Sequence, residues 1–296
     1  MSHSHSHDHA NKSGNNLKVA FFLNLSFTVL EIVGGLYVNS VAILSDALHD
    51  LGDSFSLGLS WYLNEHSKKK PNNKFTFGYS RFSLMGAFIN SIILIGGSVY
   101  IIIEAIKRLM STEEPNAEGM FLFAIVGIAV NGYAAFRLSD GKTLNERVVS
   151  LHLIEDVLGW VAVLIASVVM MFVDAPYLDP LLSLGITVYI LYNVIKRMKE
   201  TLVIMLQGTP YDIDPEKLKS EILQVQNVLS LHHVHIWSLE GEHHVFAAHV
   251  RVNNTTSFNQ VIQIKNAIKA ILKQYPFSHY TIEVELEEEP CELENS

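Results

Sequence analysis

Charge is scarce in this 296-residue chain, where 17% of residues are Asp, Glu, Lys or Arg against 49% that are hydrophobic, and mean hydropathy is positive. That balance excludes an ordinary soluble enzyme of this size. Cysteine is nearly absent: the single Cys291 allows neither an intramolecular disulfide nor a multi-cysteine zinc site. No P-loop pattern occurs, so ATP is not expected to drive the protein, and no HExxH occurs, the usual mark of a zinc hydrolase helix. A basic face for nucleic acid is missing too. The net charge of −9 comes largely from the C-terminal part, where Glu283, Glu285, Glu287, Glu288 and Glu289 cluster.

What the chain does contain is apolar sequence in stretches of about 20 residues, each long enough to cross about 30 Å of hydrocarbon. Six are expected, near Leu17–Val38, Ser40–Leu63, Phe82–Ile106, Met120–Phe136, Val148–Val173 and Tyr177–Ile195. The first is preceded by a His-rich polar arm and followed by no small-residue cleavage pattern, so it is expected to stay in the mature protein. From Gly208 onward the composition is that of a soluble domain. The expected organisation is an arm over 1–16, a six-helix transmembrane domain over 17–207, a soluble domain over 208–290 and a tail over 291–296.

Basic residues collect after the second span (Lys68, Lys69, Lys70, Lys74, Arg81), after the fourth (Arg137, Lys142, Arg147) and after the sixth (Lys196, Arg197, Lys199). By the positive-inside rule these loops and both termini face the cytoplasm, in a plasma or inner membrane. Lys107 and Arg108, at the end of the third span, run against this pattern unless they snorkel to the interface. The arm, with His3, His5, His7 and His9, reads as a disordered metal-collecting tract.

Ionisable side chains at membrane depth are costly, on the order of +2.5 to 3.5 kcal/mol for an Asp at a helix centre, and mark ion or proton paths. The second span carries Asp46, His49, Asp50 and Asp53, with His49 and Asp53 at i and i+4 on one helix face. The fifth repeats the spacing with His152 and Asp156. Two facing helices would then offer two imidazoles and two carboxylates, a tetrahedral set suited to zinc. The competing reading is that such pairs are interhelical hydrogen-bond glue, the role expected of Glu31, Asn90, Glu104 and Asn131. Asn or Ser would glue at lower cost, which favours the ligand reading for the two His/Asp pairs. Asp46, Asp50 and Glu155 are expected to support the ligands rather than bind.

Two carboxylates and two neutral imidazoles around a divalent ion sum to zero charge, and an emptied site would keep two negative charges that protons can neutralise. Metal and protons compete for the same ligand atoms. The expectation is an antiporter that exports metal from the cytoplasm as protons enter, and not an enzyme. The rivals are a zinc-dependent intramembrane hydrolase, which would want an open coordination position, and a membrane-embedded metal sensor or passive channel.

The run Ser40-Val41-Ala42-Ile43-Leu44-Ser45-Asp46 leading to His49 and Asp53, the loop Phe75-Thr76-Phe77-Gly78-Tyr79-Ser80-Arg81 and the His152/Asp156 pair resemble the cation diffusion facilitator family of metal/proton antiporters. The resemblance spans nearly the whole chain. It implies that His49, Asp53, His152 and Asp156 form the transport site, that zinc is the leading cargo, and that the protein is a homodimer. A His directly after Phe-Gly, or one residue further on, is found in many relatives but replaced here by Tyr79 and Ser80.

In the soluble part, helix, strand, strand, helix and strand are expected over Pro215–Val225, Leu229–Leu239, His244–Val252, Ser257–Tyr275 and Tyr280–Leu286. This resembles the family's small ferredoxin-like α/β cytoplasmic dimerisation domain. Alternation puts Val234, Ile236, Phe246, Ala248 and Val250 on the core face and His233, His235, His249, Glu283 and Glu285 on the other. The resemblance makes His233, His249, Glu283 and Glu285 a second, regulatory metal site.

Overall fold

The computed structural model describes residues 6–67, 71–111, 114–139, 144–253 and 257–291; side chains of 6–20, 23, 56, 57, 59–67, 137–139 and 144–152 lie outside the description. Six long helices come first: α1 (Ser6–Tyr37), α2 (Val41–Ser67), α3 (Phe82–Leu109), α4 (Ala117–Ser139), α5 (Leu144–Phe172) and α6 (Leu178–Met205). A shorter series follows: α7 (Pro215–Leu223), β1 (Val228–Ser238), β2 (His244–Val252), α8 (Phe258–Leu272) and β3 (Phe277–Leu286). The chain divides into two compact units, Met1–Tyr62 with Ile89–Arg197, and Leu63–Phe88 with Met198–Ser296.

Four helices contain runs long and apolar enough to cross a bilayer: Phe82–Leu109, Ala117–Phe136, Leu153–Phe172 and Leu178–Met205. In α1 and α2 the runs whose side chains are described are shorter than that measure needs. α3 leaves Ile92, Ile93, Val99, Ile103 and Ile106 exposed, a surface that lipid tails accept and water penalises. The arm is not disordered throughout, as expected from its composition: α1 starts at Ser6, so His7 and His9 lie on a helix. Extending an existing helix backwards costs no new nucleus, and the polar arm propagates from the apolar turns behind it. His3 and His5 lie outside the described residues.

Within the first unit, Phe27, Val38, Ala42, Ile43, Met120, Ala124, Trp160 and Val163 bring α1, α2, α4 and α5 into one core. Trp160 is fully buried and enters this core because Gly127 on α4 has no side chain. A Cβ there would sit 2.2 Å from the indole ring. The Gly127→Ala substitution is therefore expected to destabilise the helical unit by about 1–3 kcal/mol, the usual cost of overpacking, read as a lowered Tm in detergent.

α2 is fastened to α6 by polar contacts. The Asp179 carboxylate accepts from the Ser40 hydroxyl at 2.5 Å, the Val41 N–H at 2.8 Å and the Ala42 N–H at 3.3 Å. The two N–H groups are donors of the first turn of α2, which have no partner within the helix and favour a negative charge. One turn along α6, the Ser183 hydroxyl donates to the Val41 carbonyl at 3.3 Å, and a further turn on Thr187 meets Ser45 at 2.8 Å. Arg108, the residue that ran against the charge pattern, folds back to donate to Glu104 at 3.3 Å and to the Asn39 carbonyl at 2.5 Å.

In the second unit the sheet has strand order β1-β2-β3, with β1 antiparallel and β3 parallel to β2. The parallel pairing follows from α8 serving as the crossover between β2 and β3. α7 starts after the Asp214 cap and α8 after a Ser257/Gln260 capping box. Leu218, Ile222, Ile264, Ile268 and Leu272 of the helices pack on Leu231, Ile236, Phe246, Ala248 and Val250 of the sheet.

Candidate metal centre

His49 and Asp53 meet across one turn of α2, with Nε2 3.6 Å from Oδ2 and both side chains about one-fifth exposed. Asp156 on α5 is buried, as are Asp46 and Asp50 on α2. α2 and α5 face each other at this level: Asp46 Oδ1 lies 3.9 Å from where a Cβ on Gly159 would stand, three residues beyond Asp156. Asp50 is within electrostatic reach of Glu31, Asp46, Asp156 and Asp53. His152 lies on α5 one turn before Asp156, but its side chain is outside the described residues.

Glu31 was not expected at this centre. It is fully buried on α1, within electrostatic reach of Asp46 and Asp156. Neither of its carboxylate oxygens has a hydrogen-bond partner among the described residues, which corrects its reading as an interhelical hydrogen-bonding group. Glu104 also differs from that reading, since Arg108 and Lys107, its ion-pair partners among the described residues, share its own helix. The sequence signal for Glu31 was its place in a helix with few other charges. Asn24 ties α1 to α2 instead, donating to the Asp50 carbonyl at 3.3 Å and to the Ser54 hydroxyl at 3.1 Å.

Among the described residues, the group of ligand atoms held close enough for one ion lies in the second unit. It comprises His232, His249, Glu285 and Cys291, whose ligand atoms are all within 4.8 Å of one another. Two of its members, His232 and Cys291, were not among the residues expected from sequence. A β-bulge sits between His232 and His235, with His233 at φ 47°. His232 pairs with His249 and His235 with Ala247, so Ala248 faces two residues of β1, and the alternation changes phase there. Both rings stand beside that of His249, His232 at 5.4 Å and His233 at 5.3 Å centroid to centroid, and it is His232 whose ring nitrogen joins the close group of ligand atoms. Cys291, assigned no role by sequence, arrives because a turn in which the Leu286 and Glu289 N–H groups donate at 3.0 Å to Glu289 Oε2 and the Leu286 carbonyl leads the chain back past β3.

The remaining expected ligands sit around this group. Glu283 Oε2 is 3.4 Å from His249 Nε2, which leaves Nδ1 to face Glu285 Oε1 at 2.6 Å and Cys291 Sγ at 3.7 Å. That is the orienting relation of a carboxylate behind a metal-binding imidazole. His235 is exposed on the same face. Burial pushes the Glu285 carboxyl up, but hydrogen bonds from His249 and Cys291 and the charges of His232 and His249 outweigh it and hold Glu285 below the usual carboxylate range.

An apolar helical unit carrying buried carboxylates and an imidazole, joined to a small α/β unit with a His, Glu and Cys cluster, is the construction of an integral membrane protein that moves metal cations. Comparison with known proteins specifies the kind. The family model described as the cation efflux transmembrane domain matches residues 17–206, and the one described as the cation efflux protein cytoplasmic domain matches residues 210–287. The chain belongs to this family, the cation diffusion facilitators, in a zinc-related branch. It is 32% identical over 286 residues to a cadmium, cobalt and zinc/H(+)-K(+) antiporter of Bacillus velezensis, covering 95% of this chain and 91% of that protein. It is 32% identical to the metal cation efflux system protein CzcD of Cupriavidus metallidurans, over 99% of this chain and 92% of that one. The zinc transporter ZitB of Pectobacterium atrosepticum is 32% identical, over 96% of this chain and 89% of its own length.

Proposed function

We propose that the protein is a proton-coupled antiporter that exports divalent transition metal, zinc foremost, from the cytoplasm. The observation that carries this reading is the His49/Asp53 contact on α2 together with the buried Asp156 of α5, within electrostatic reach of Asp50 of α2; His152, one turn before Asp156 in sequence, would complete two imidazoles and two carboxylates. Such a set is neutral when it holds a divalent ion and takes protons when it does not. Relatives named as zinc transporters and as a cadmium, cobalt and zinc/H(+)-K(+) antiporter support the cargo and the exchange.

On this reading all six long helices cross the membrane, the first two despite their polar groups, and both termini lie in the cytoplasm of a plasma or inner membrane. Residues 17–207 form the transport domain and 208–290 the cytoplasmic domain, through which two copies pair. The His249/Glu285 face of that domain holds a regulatory metal, with His232 as its further nitrogen donor and Glu283 orienting His249. The donor chemistry fits: nitrogen and carboxylate ligands of this kind suit zinc.

In sealed vesicles, an inward-directed proton gradient is expected to accelerate zinc efflux several-fold over the rate with no gradient. Zinc flux indifferent to the gradient would sink the coupling. A metal-by-metal assay on His49→Asp, which exchanges an imidazole for a harder carboxylate, is expected to weaken the preference for zinc over manganese. An unchanged preference would remove His49 from the ligand set.

A further inference from the structure

The chain has one cysteine, and its sulfur lies against three other potential ligands contributed by three different strands. His232 comes from β1, His249 from β2 and Glu285 from β3, while Cys291 comes from the segment beyond β3. The Cys291 Sγ to His249 Nδ1 distance of 3.7 Å matches the spacing of about 3.3–3.8 Å between ligand atoms around tetrahedral zinc with Zn–N near 2.0 Å and Zn–S near 2.3 Å. Glu285 is buried. Its Oε2 comes within 2.9 Å of His232 Nε2, yet neither atom is aligned in a hydrogen bond with any described group. The two atoms form an ion pair when His232 is protonated and, when it is neutral, stand as close as two ligands of one ion would.

We propose that Cys291 is the sulfur ligand of a zinc-class site whose other ligands are His232, His249 and Glu285, so that metal occupancy pins the C-terminal segment to the sheet. The proposal rests on the regulatory reading of this face and adds to it the donor that decides which metals are held. Two neutral imidazoles, a carboxylate and a thiolate around a divalent ion sum to zero charge, and the thiol proton leaves to solvent as the metal binds. A thiolate prefers zinc and cadmium to manganese or magnesium. This second centre is thereby softer than the proposed transport site, which has no sulfur.

Because Cys291 is the one sulfhydryl in the chain, a thiolate-to-metal charge-transfer absorption reports on it alone. Titrating the purified full-length protein, reduced and in detergent, with cadmium or cobalt is expected to raise that absorption in proportion to one ion per chain. Cys291→Ser is expected to abolish the band, to lower cadmium affinity at this centre at least roughly tenfold, and to leave the thermal unfolding of the metal-free protein unchanged. In the wild type, bound zinc is expected to protect Cys291 from alkylation. Metal that binds with sensitivity to His249→Ala but with no charge-transfer band would overturn the thiolate ligand while keeping the regulatory site. Metal binding indifferent to His249→Ala would overturn both.

Discussion

Asp156→Ala is expected to lower zinc transport on the order of 100-fold or more, since loss of a group that merely orients a metal ligand already costs about 10–100-fold. The fold is expected to be at least as stable in the variant. Asp156 is buried and within electrostatic reach of Glu31 and Asp50, so its removal takes one like charge from a crowded acidic cluster at membrane depth. Zinc flux in vesicles and thermal unfolding in detergent, measured on the same preparation, separate the two effects. Full transport by the variant would remove Asp156 from the transport site. A collapse of both stability and transport would make it a structural residue of the bundle.

The opposite pattern is expected for Asp179→Ala, where stability falls first. The substitution strips the acceptor from the Ser40 hydroxyl and from the Val41 and Ala42 N–H groups, in a place where Ser40, Val41 and Ala42 are all buried. Leaving a buried donor without a partner costs about 1–3 kcal/mol, and losing a helix cap about 0.5–2 kcal/mol. A loss of about 3 kcal/mol is the expected sum, read as a large drop in Tm. Transport is expected to fall with it, because His49 lies nine residues along α2 from Ser40, about 13 Å at 1.5 Å per residue, and a small tilt at the capped end displaces the ligands. Asp179→Asn keeps one acceptor oxygen and is expected to recover part of both. A Tm unchanged in the alanine variant would show that Asp179 does not hold α2.

Much of this architecture was legible in the residues. Long apolar runs marked the helices, and the α/β elements from Pro215 onward follow their hydrophobic alternation to within a few residues at each boundary. The matched spacing of His49 with Asp53 and of His152 with Asp156 needed only helical geometry. What failed was whatever depended on a local break in a repeat or on chain reversal. The bulge at His233 changes the phase of β1, so strict alternation pointed to His233 and passed over His232, which also stands beside His249. Cys291 reaches its neighbours through a turn beyond the last strand, and no periodicity extends into that segment. Glu31 was taken for a hydrogen-bonding residue because sequence reports its cost at membrane depth but not which groups surround it.

The polar contacts between α2 and α6 also bear on how the protein can move. Asp179, Ser183 and Thr187 recur at four-residue intervals along α6 and hold Ser40, Val41 and Ser45 of α2, so the two helices are riveted at three successive levels. On the proposed transport reading, a rocking step that turns the His49/Asp53 pair from one side of the membrane to the other would take this bonded part of α6 along. In sequence, α6 is the last of the long helices before the elements that carry the second cluster. The bonds of Asp179, Ser183 and Thr187 thus join α2 to that last long helix without passing through α3, α4 or α5.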